Sequence, residues 1–202
     1  MKKAFTLIEM LVVIAIIVIL MGAMVGAYSR MTASAQRVKC KELVDNTATA
    51  LTQLFQQEGS WPKALRARGA TDGELDDKAA YPLARGGYMS LTTDGSKLSG
   101  YDRFGLITPW AQAVVKRRGS SASLGEAVPG GGTIKDHILH YALDLDGDGI
   151  IDGASVGGQA VSVRATAIVW ACGKDGKIEA YSTGLKKDDV HSWTYGQTQN
   201  VK

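Results

Sequence analysis

The feature that most constrains this chain is its opening, MKKAFTLIEMLVVIAIIVILMGAMVGAYSR. Met10 to Val25 carries no charge, and Lys2 and Lys3 precede it. Past Gly26 no glycine occurs until Gly59, and the first proline is Pro62. Nothing therefore breaks a helix that begins near Phe5 until Gly59 and Pro62 end it, and the expectation is one helix to about Gln57, roughly 80 Å long. Beyond Tyr28 the pattern becomes amphipathic. Met31, Ala35, Val38, Val44, Ala48, Leu51 and Phe55 mark one expected apolar face.

The apolar run permits two general readings. A secretory signal peptide would use Lys2 and Lys3 as its basic start and Val25-Gly26-Ala27 as a small-residue cleavage site. A transmembrane anchor is equally well supplied, because Phe5 to Tyr28 as a helix reaches about 36 Å against a hydrocarbon core of about 30 Å. The lysines would keep the short N-terminal side cytoplasmic. Glu9 sits badly with both. An acidic side chain deep in a bilayer costs about 2.5–3.5 kcal/mol, so Glu9 calls for a partner.

A third reading supplies one. The string KKAFTLIEMLVVIAIIVIL closely resembles the class III signal of type IV pilins and of the pseudopilins of type II secretion. The resemblance implies cleavage between Ala4 and Phe5 by a prepilin peptidase, N-methylation of Phe5, and pairing of Glu9 with the terminal amine of a neighbouring subunit. A cation brought to a carboxylate in low dielectric offsets its desolvation. Ala4 departs from the glycine most common at that place.

Composition narrows the rest. The 23 basic and 20 acidic residues give a formal charge of +3. Without Lys2, Lys3 and Glu9 the remainder is nearly balanced, so no nucleic-acid footprint is expected. Cys40 and Cys172 are the only cysteines. One disulfide in an oxidising compartment and two separate thiols both stay open. His137 and His140 fall three apart in an expected strand and point to opposite faces, while His191 is isolated, so metal catalysis gains no support. No nucleophile elbow, phosphate loop or metal-ligand spacing marks an enzyme.

After Gly59 the segment to Met89 reads as turn-rich surface loop, with a short helix near Lys63 to Arg68. YDRFGLITPW loosely resembles the D-x-W-G-x-P element of major pseudopilins, with Phe104 in place of tryptophan. Gly119 to Gly132 reads as a flexible excursion. Strands are expected over His137–Leu143 and Val161–Trp170, flanking DLDGDGIIDG. There Asp144, Asp146, Asp148 and Asp152 take positions 1, 3, 5 and 9 of an EF-hand-type loop. Gly149 stands at the turn position, but Ser155 replaces the twelfth-position glutamate, so a partial calcium loop or a solvated acidic turn is expected.

The stretch VWACGKDGKIEAYSTGLKKDDVHSW resembles the calcium loop of major pseudopilins through Trp170, Gly173, Asp175, Gly176, Asp188, Asp189 and Trp193. The resemblance implies Asp175 and Asp189 as calcium ligands, with Asp188 a further candidate. Ala171 and Cys172 stand where that family carries serine.

Both ends together imply an α+β pilin fold, a long N-terminal helix packed on an antiparallel sheet. The implied organisation is a leader over 1–4, a transmembrane and assembly helix over 5–28, the amphipathic half of that helix over 29–58, and a globular domain over 59–202. The implied function is a structural subunit, not an enzyme, of a major pseudopilin type that homopolymerises in type II protein secretion. A surface type IV pilin and a non-polymerising membrane-anchored calcium-binding domain are the alternatives. Implied partners are further copies of the chain, the prepilin peptidase, an inner-membrane assembly platform, minor pilins and the membrane, with no nucleic acid. The implied place is the inner membrane, single-pass, with the C-terminal domain in the periplasm, and one or two Ca2+ ions bound.

Overall fold

A computed structural model of the chain describes residues 7–181, 188–193 and 198–199. The chain divides into two units, residues 1–36 and 37–202. Helix α1, Leu7–Glu58, belongs to both and runs for 52 residues. In the first unit the large apolar side chains from Leu7 to Met21 are exposed, as are Tyr28 and Met31. Among the described residues no helix is long and apolar enough to cross a membrane. The expected span over 5–28 also draws on Phe5, Thr6 and the side chains of 23–27, which lie outside the described residues.

In the second unit α1 buries Cys40, Val44, Thr47, Leu51 and Leu54. This alternating spacing of four and three keeps one face toward the core. Thr47 is tolerated there because its hydroxyl donates to Leu43 O at 2.7 Å. The expected face is corrected at its N-terminal end, where Met31, Ala35 and Val38 are exposed. At 100° per residue, Ala35 lies about 180° from Val44 and Val38 about 120° from it, so neither shares its stripe. Cys40 and Thr47 complete the stripe instead. Gly59, with φ +66, closes the helix by donating its N–H to Phe55 O at 2.8 Å.

Three short helices follow, α2 (Lys63–Arg66), α3 (Asp77–Arg85) and α4 (Pro109–Arg118). The expected short helix near Lys63 is present, whereas α3 falls where loop was expected. Asp76 caps α3 by accepting from Lys78 N and Ala79 N, and Pro82 falls inside the helix. Packing holds both longer helices: Ala79, Ala80 and Leu83 are buried from α3, and Trp110, Ala111, Val114 and Val115 from α4.

The sheets are antiparallel. The main one has the order β1-β4-β7-β8, formed by Gly73–Glu74, His140–Leu143, Ala167–Ala171 and Val190–His191. A second, β5-β6-β9, joins Ile151–Val156, Gln159–Val163 and Thr198–Gln199. The hairpin β2-β3 pairs Thr93–Asp94 with Lys97–Leu98. An α+β architecture is thus present, with the helix leading into antiparallel sheet. The expected strand from His137 starts later, because Lys135–His137 forms a 3-10 turn. The strand expected over 161–170 is two strands, parted near Thr166, whose carbonyl accepts from Asp144 N at 3.0 Å.

Gly119 to Gly132 is not the expected excursion. Its second half folds back into backbone bonds from Val128 N to Gly132 O and from Ile134 N to Glu126 O, both 3.0 Å. One apolar core gathers α1, the three short helices and the near face of the main sheet. A smaller one joins β5 and β6 with Trp170, Tyr181 and Trp193. Two strands of the main sheet, β4 and β7, lead directly into the two acidic loops.

Candidate functional site

The first acidic loop joins β4 to β5. Asp144 is buried, and its two carboxylate oxygens accept from Gly147 N at 2.7 Å and Gly149 N at 2.9 Å. Gly147 and Gly149 have φ of +81 and +82, which lets the chain wrap round that carboxylate. Asp148 accepts from Ile150 N at 2.7 Å. Asp144, Asp146 and Asp148 offer oxygens within 4.8 Å of one another, and Asp152, exposed on β5, stands outside that group.

The second loop leaves β7 at Cys172. Here Asp175, Glu179 and Asp188, all half-buried, offer oxygens within 4.8 Å of one another. Asp175 accepts from Lys177 N at 3.0 Å and Asp188 from Lys174 N at 2.7 Å, so one oxygen of each is tied to backbone. Asp189 does something else. It is 2% exposed, and its two oxygens accept from Gly173 N at 3.1 Å and Glu179 N at 2.9 Å, clasping the two ends of the loop. Burial pushes the Asp189 carboxyl above the usual range, against the two amide hydrogen bonds that lower it and with a smaller push from the neighbouring Glu179 carboxylate.

The structure therefore brings Asp175 and Asp188 together with Glu179, which the sequence reading did not single out. Glu179 follows Asp175 through irregular chain, so no periodicity could have flagged it. Two close backbone approaches hold the loop. A Cβ at Gly173 would lie 2.0 Å from the Asp188 carboxyl carbon, and one at Gly131 would lie 2.3 Å from Asp175 O.

The remaining polar groups serve packing. His137 is buried, with Nε2 3.1 Å from Gly131 O and Nδ1 2.8 Å from Thr108 Oγ1. A carbonyl only accepts, so Nε2 carries the proton and Nδ1 receives the hydroxyl. Burial holds the His137 imidazole below its usual pKa. Cys172 Sγ lies 3.3 Å from the same Nδ1 and from Asp136 O. Cys40 and Cys172, whose pairing the sequence left open, are both buried free thiols here. His140 meets Asp72 at 2.6 Å. His191 lies among Tyr181 and Trp193, its ring centroid 4.9 Å from that of Trp193.

At the other end, Ala4 and Phe5 lie outside the described residues. Glu9 occupies the first turn of α1 and is exposed there, where the positive end of the helix dipole favours a carboxylate.

Residues 1–25 match the prokaryotic N-terminal methylation motif. A type IV major pilin protein of Neisseria gonorrhoeae is 35% identical over 81 residues, 40% of this chain and 49% of that protein. A fimbrial protein of Neisseria meningitidis serogroup A is 29% identical over 115 residues, 55% of this chain and 67% of that protein. A second fimbrial protein, from serogroup B of the same species, is 37% identical over 79 residues, 39% of this chain and 46% of that protein. The chain spans about half the length of the first of these relatives. No solved structure matches it. The chain thus carries the N-terminal methylation motif at the head of α1 and is similar over part of its length to type IV pilins.

Proposed function

We propose that the chain is a structural subunit of a pilin-type fibre, cleaved before Phe5, methylated there, and anchored in the inner membrane until it is assembled. The observation that carries this reading is the methylation motif over residues 1–25 at the start of a 52-residue helix whose apolar side chains from Leu7 to Met21 are exposed. Exposed apolar surface on that scale needs cover. Lipid covers it before assembly, and the same face of further copies covers it afterwards. Glu9 is tolerated there through the methylated amine of a neighbour. The work is mechanical, and a prepilin peptidase, an assembly platform and minor pilins are its partners.

The finer reading is a major pseudopilin of type II secretion. Its support is the second acidic loop, where Asp175, Glu179 and Asp188 converge as an all-oxygen set suited to a hard cation such as calcium. When bound, such an ion would neutralise three carboxylates that otherwise repel one another. The first loop is the weaker candidate, because Asp144 has given both oxygens to backbone amides. The surface-pilus reading also has specific support, since the similar proteins named above are type IV major pilin and fimbrial proteins.

Mass spectrometry of the mature N-terminus tests the proposal. Methylated Phe5 is the expected result, and a mature chain starting at Tyr28 would overturn it. Deleting the gene then separates the finer readings: loss of secreted proteins with surface fibres intact supports the pseudopilin, and loss of surface fibres supports the pilus.

A further inference from the structure

We propose that Cys40 and Cys172 are a cross-linking pair, joined in an oxidising compartment as a disulfide that ties α1 to the end of β7. The inference rests on the reading above in one respect, that the second unit lies outside the cytoplasm. The juxtaposition itself is read from the fold. Cys40 is fully buried and shares a core with Ala171 and Val190. The next residue, Lys41, donates from Nζ to His191 O at 2.9 Å, which fixes this turn of α1 against β8. In the β7–β8 register Ala171 faces Val190, so Cys172 follows beside Asp189. Gly173 N then donates to the Asp189 carboxylate at 3.1 Å. Cys40 therefore lies in the same core as the residue pair that immediately precedes Cys172, one residue from the lysine that bonds β8.

The charges agree with that placement. The Asp189 carboxylate disfavours the thiolate of both cysteines, and Cys40 disfavours that of Cys172. Burial is the largest cause in each case, and it pushes both thiols up, that of Cys40 to about 12. Thiolate is the attacking species in disulfide exchange, so the finished core reacts slowly. The bond forms while the chain folds. One thiolate attacks an oxidised disulfide donor and releases one reduced thiol, and the second cysteine displaces the donor's other half. Two electrons pass from the cysteine pair to the donor disulfide, and the two cysteine protons end on the released thiols. Once closed, the bond is shielded from reductant by the burial that slowed its formation.

The test uses the full-length chain in detergent, unfolded and reduced, then refolded with oxidised glutathione and blocked with N-ethylmaleimide. Peptide mass spectrometry is expected to find Cys40 linked to Cys172. The thermal midpoint is expected to rise by several degrees over the same chain refolded in reductant, because the bond closes a long loop. The rise should vanish in Cys40→Ala. Folded chain in which both cysteines stay unlinked, or are joined only to glutathione, overturns the proposal. A parallel sample trapped with N-ethylmaleimide in intact cells tests the compartment: linkage on refolding with free thiols in cells would count against the extracytoplasmic reading and leave the pair standing.

Discussion

The indole Nε1 of Trp61 donates to the backbone carbonyl of Asp144 at 2.7 Å, a buried bond between residues 83 apart in sequence. Trp61 also stacks on Phe55 with ring centroids 4.7 Å apart. The end of α1 and the root of the first acidic loop are therefore fixed to each other through one side chain. The anchor holds the backbone from which the buried Asp144 carboxylate projects, and the amides of Gly147 and Gly149 hold the carboxylate itself.

Trp61→Phe keeps an aromatic ring on Phe55 but leaves the Asp144 carbonyl buried without its donor. An unsatisfied buried acceptor costs about 1–3 kcal/mol. Denaturant unfolding of the chain in detergent should show the unfolding free energy falling by that amount, read as a lower midpoint with an unchanged slope. A midpoint equal to that of the parent would show that the anchor contributes nothing.

Glycine substitutions probe the second loop. Gly173→Ala would place a Cβ 2.0 Å from the Asp188 carboxyl carbon, and Gly131→Ala one 2.3 Å from Asp175 O at a φ of +148. Overpacking of this kind costs about 1–3 kcal/mol, and the φ of Gly131 adds strain. Gly125→Ala is the control, because nothing lies within 4 Å of its added methyl and its φ is ordinary. Thermal midpoints should fall for the first two and hold for the third. Equal midpoints for all three would mean that the loop yields freely.

Much of this was legible in the sequence, for particular reasons. The long helix was plain because nothing from Phe5 to Gln57 but Gly22 and Gly26 weakens it, and its observed end, Glu58, lies beside the expected one. The Asp144, Asp146 and Asp148 group was plain because alternate spacing is local. Helix α3 was hidden by Pro82 and the glycines behind it, and it stands through the Asp76 cap and burial of Leu83. Glu179 was hidden because only tertiary closure by Asp189 brings it to Asp175 and Asp188. The order in Gly119 to Gly132 was hidden for the same reason, as its glycines are needed for contact with residues 174–176.

If calcium binds the second loop, a chelator should lower the thermal midpoint, and calcium should restore it better than magnesium, which demands a stricter octahedron. At a hundredfold excess over Kd the stabilisation is about 2.7 kcal/mol. Asp188→Asn retains an acceptor for Lys174 N but removes a charge from the set, and it should abolish the calcium response. Asp148→Asn should leave most of it. Identical melting in calcium and chelator would show both acidic loops to be solvated turns, and the reverse ranking would move the site to the first loop.

Glu9→Ala separates insertion from assembly. Removing a carboxylate from an apolar helix should leave membrane insertion and processing intact, or improve them. Fibre formation should fall severely, because the neighbour's methylated amine loses its partner. Normal fibre yield from Glu9→Ala subunits alone would rule out that pairing.

His191 sets a pH dependence in the second unit. Its imidazole is 3% exposed among Tyr181 and Trp193, and neither ring nitrogen has a hydrogen-bond partner among the described residues. Burial first, and the Lys41 ammonium second, lower its pKa from 6.5 to about 4. The unfolded chain therefore binds a proton that the folded chain refuses between those two values. The favourable contribution is complete above pH 6.5 and is lost as pH falls toward 4, by about 1.4 kcal/mol per unit at most, or about 3 kcal/mol in all. Asp189 acts in the opposite sense, since its raised carboxyl pKa lets the folded state take up a proton before the unfolded one does. The total curve therefore mixes the two, and the difference between parent and His191→Phe isolates the imidazole. Phenylalanine retains a ring against Trp193 and cannot be protonated. Its stability relative to the parent should improve steadily from pH 6.5 to pH 4 and stay flat above pH 7. A difference independent of pH across that window would show that the folded state protonates His191 as readily as the unfolded one.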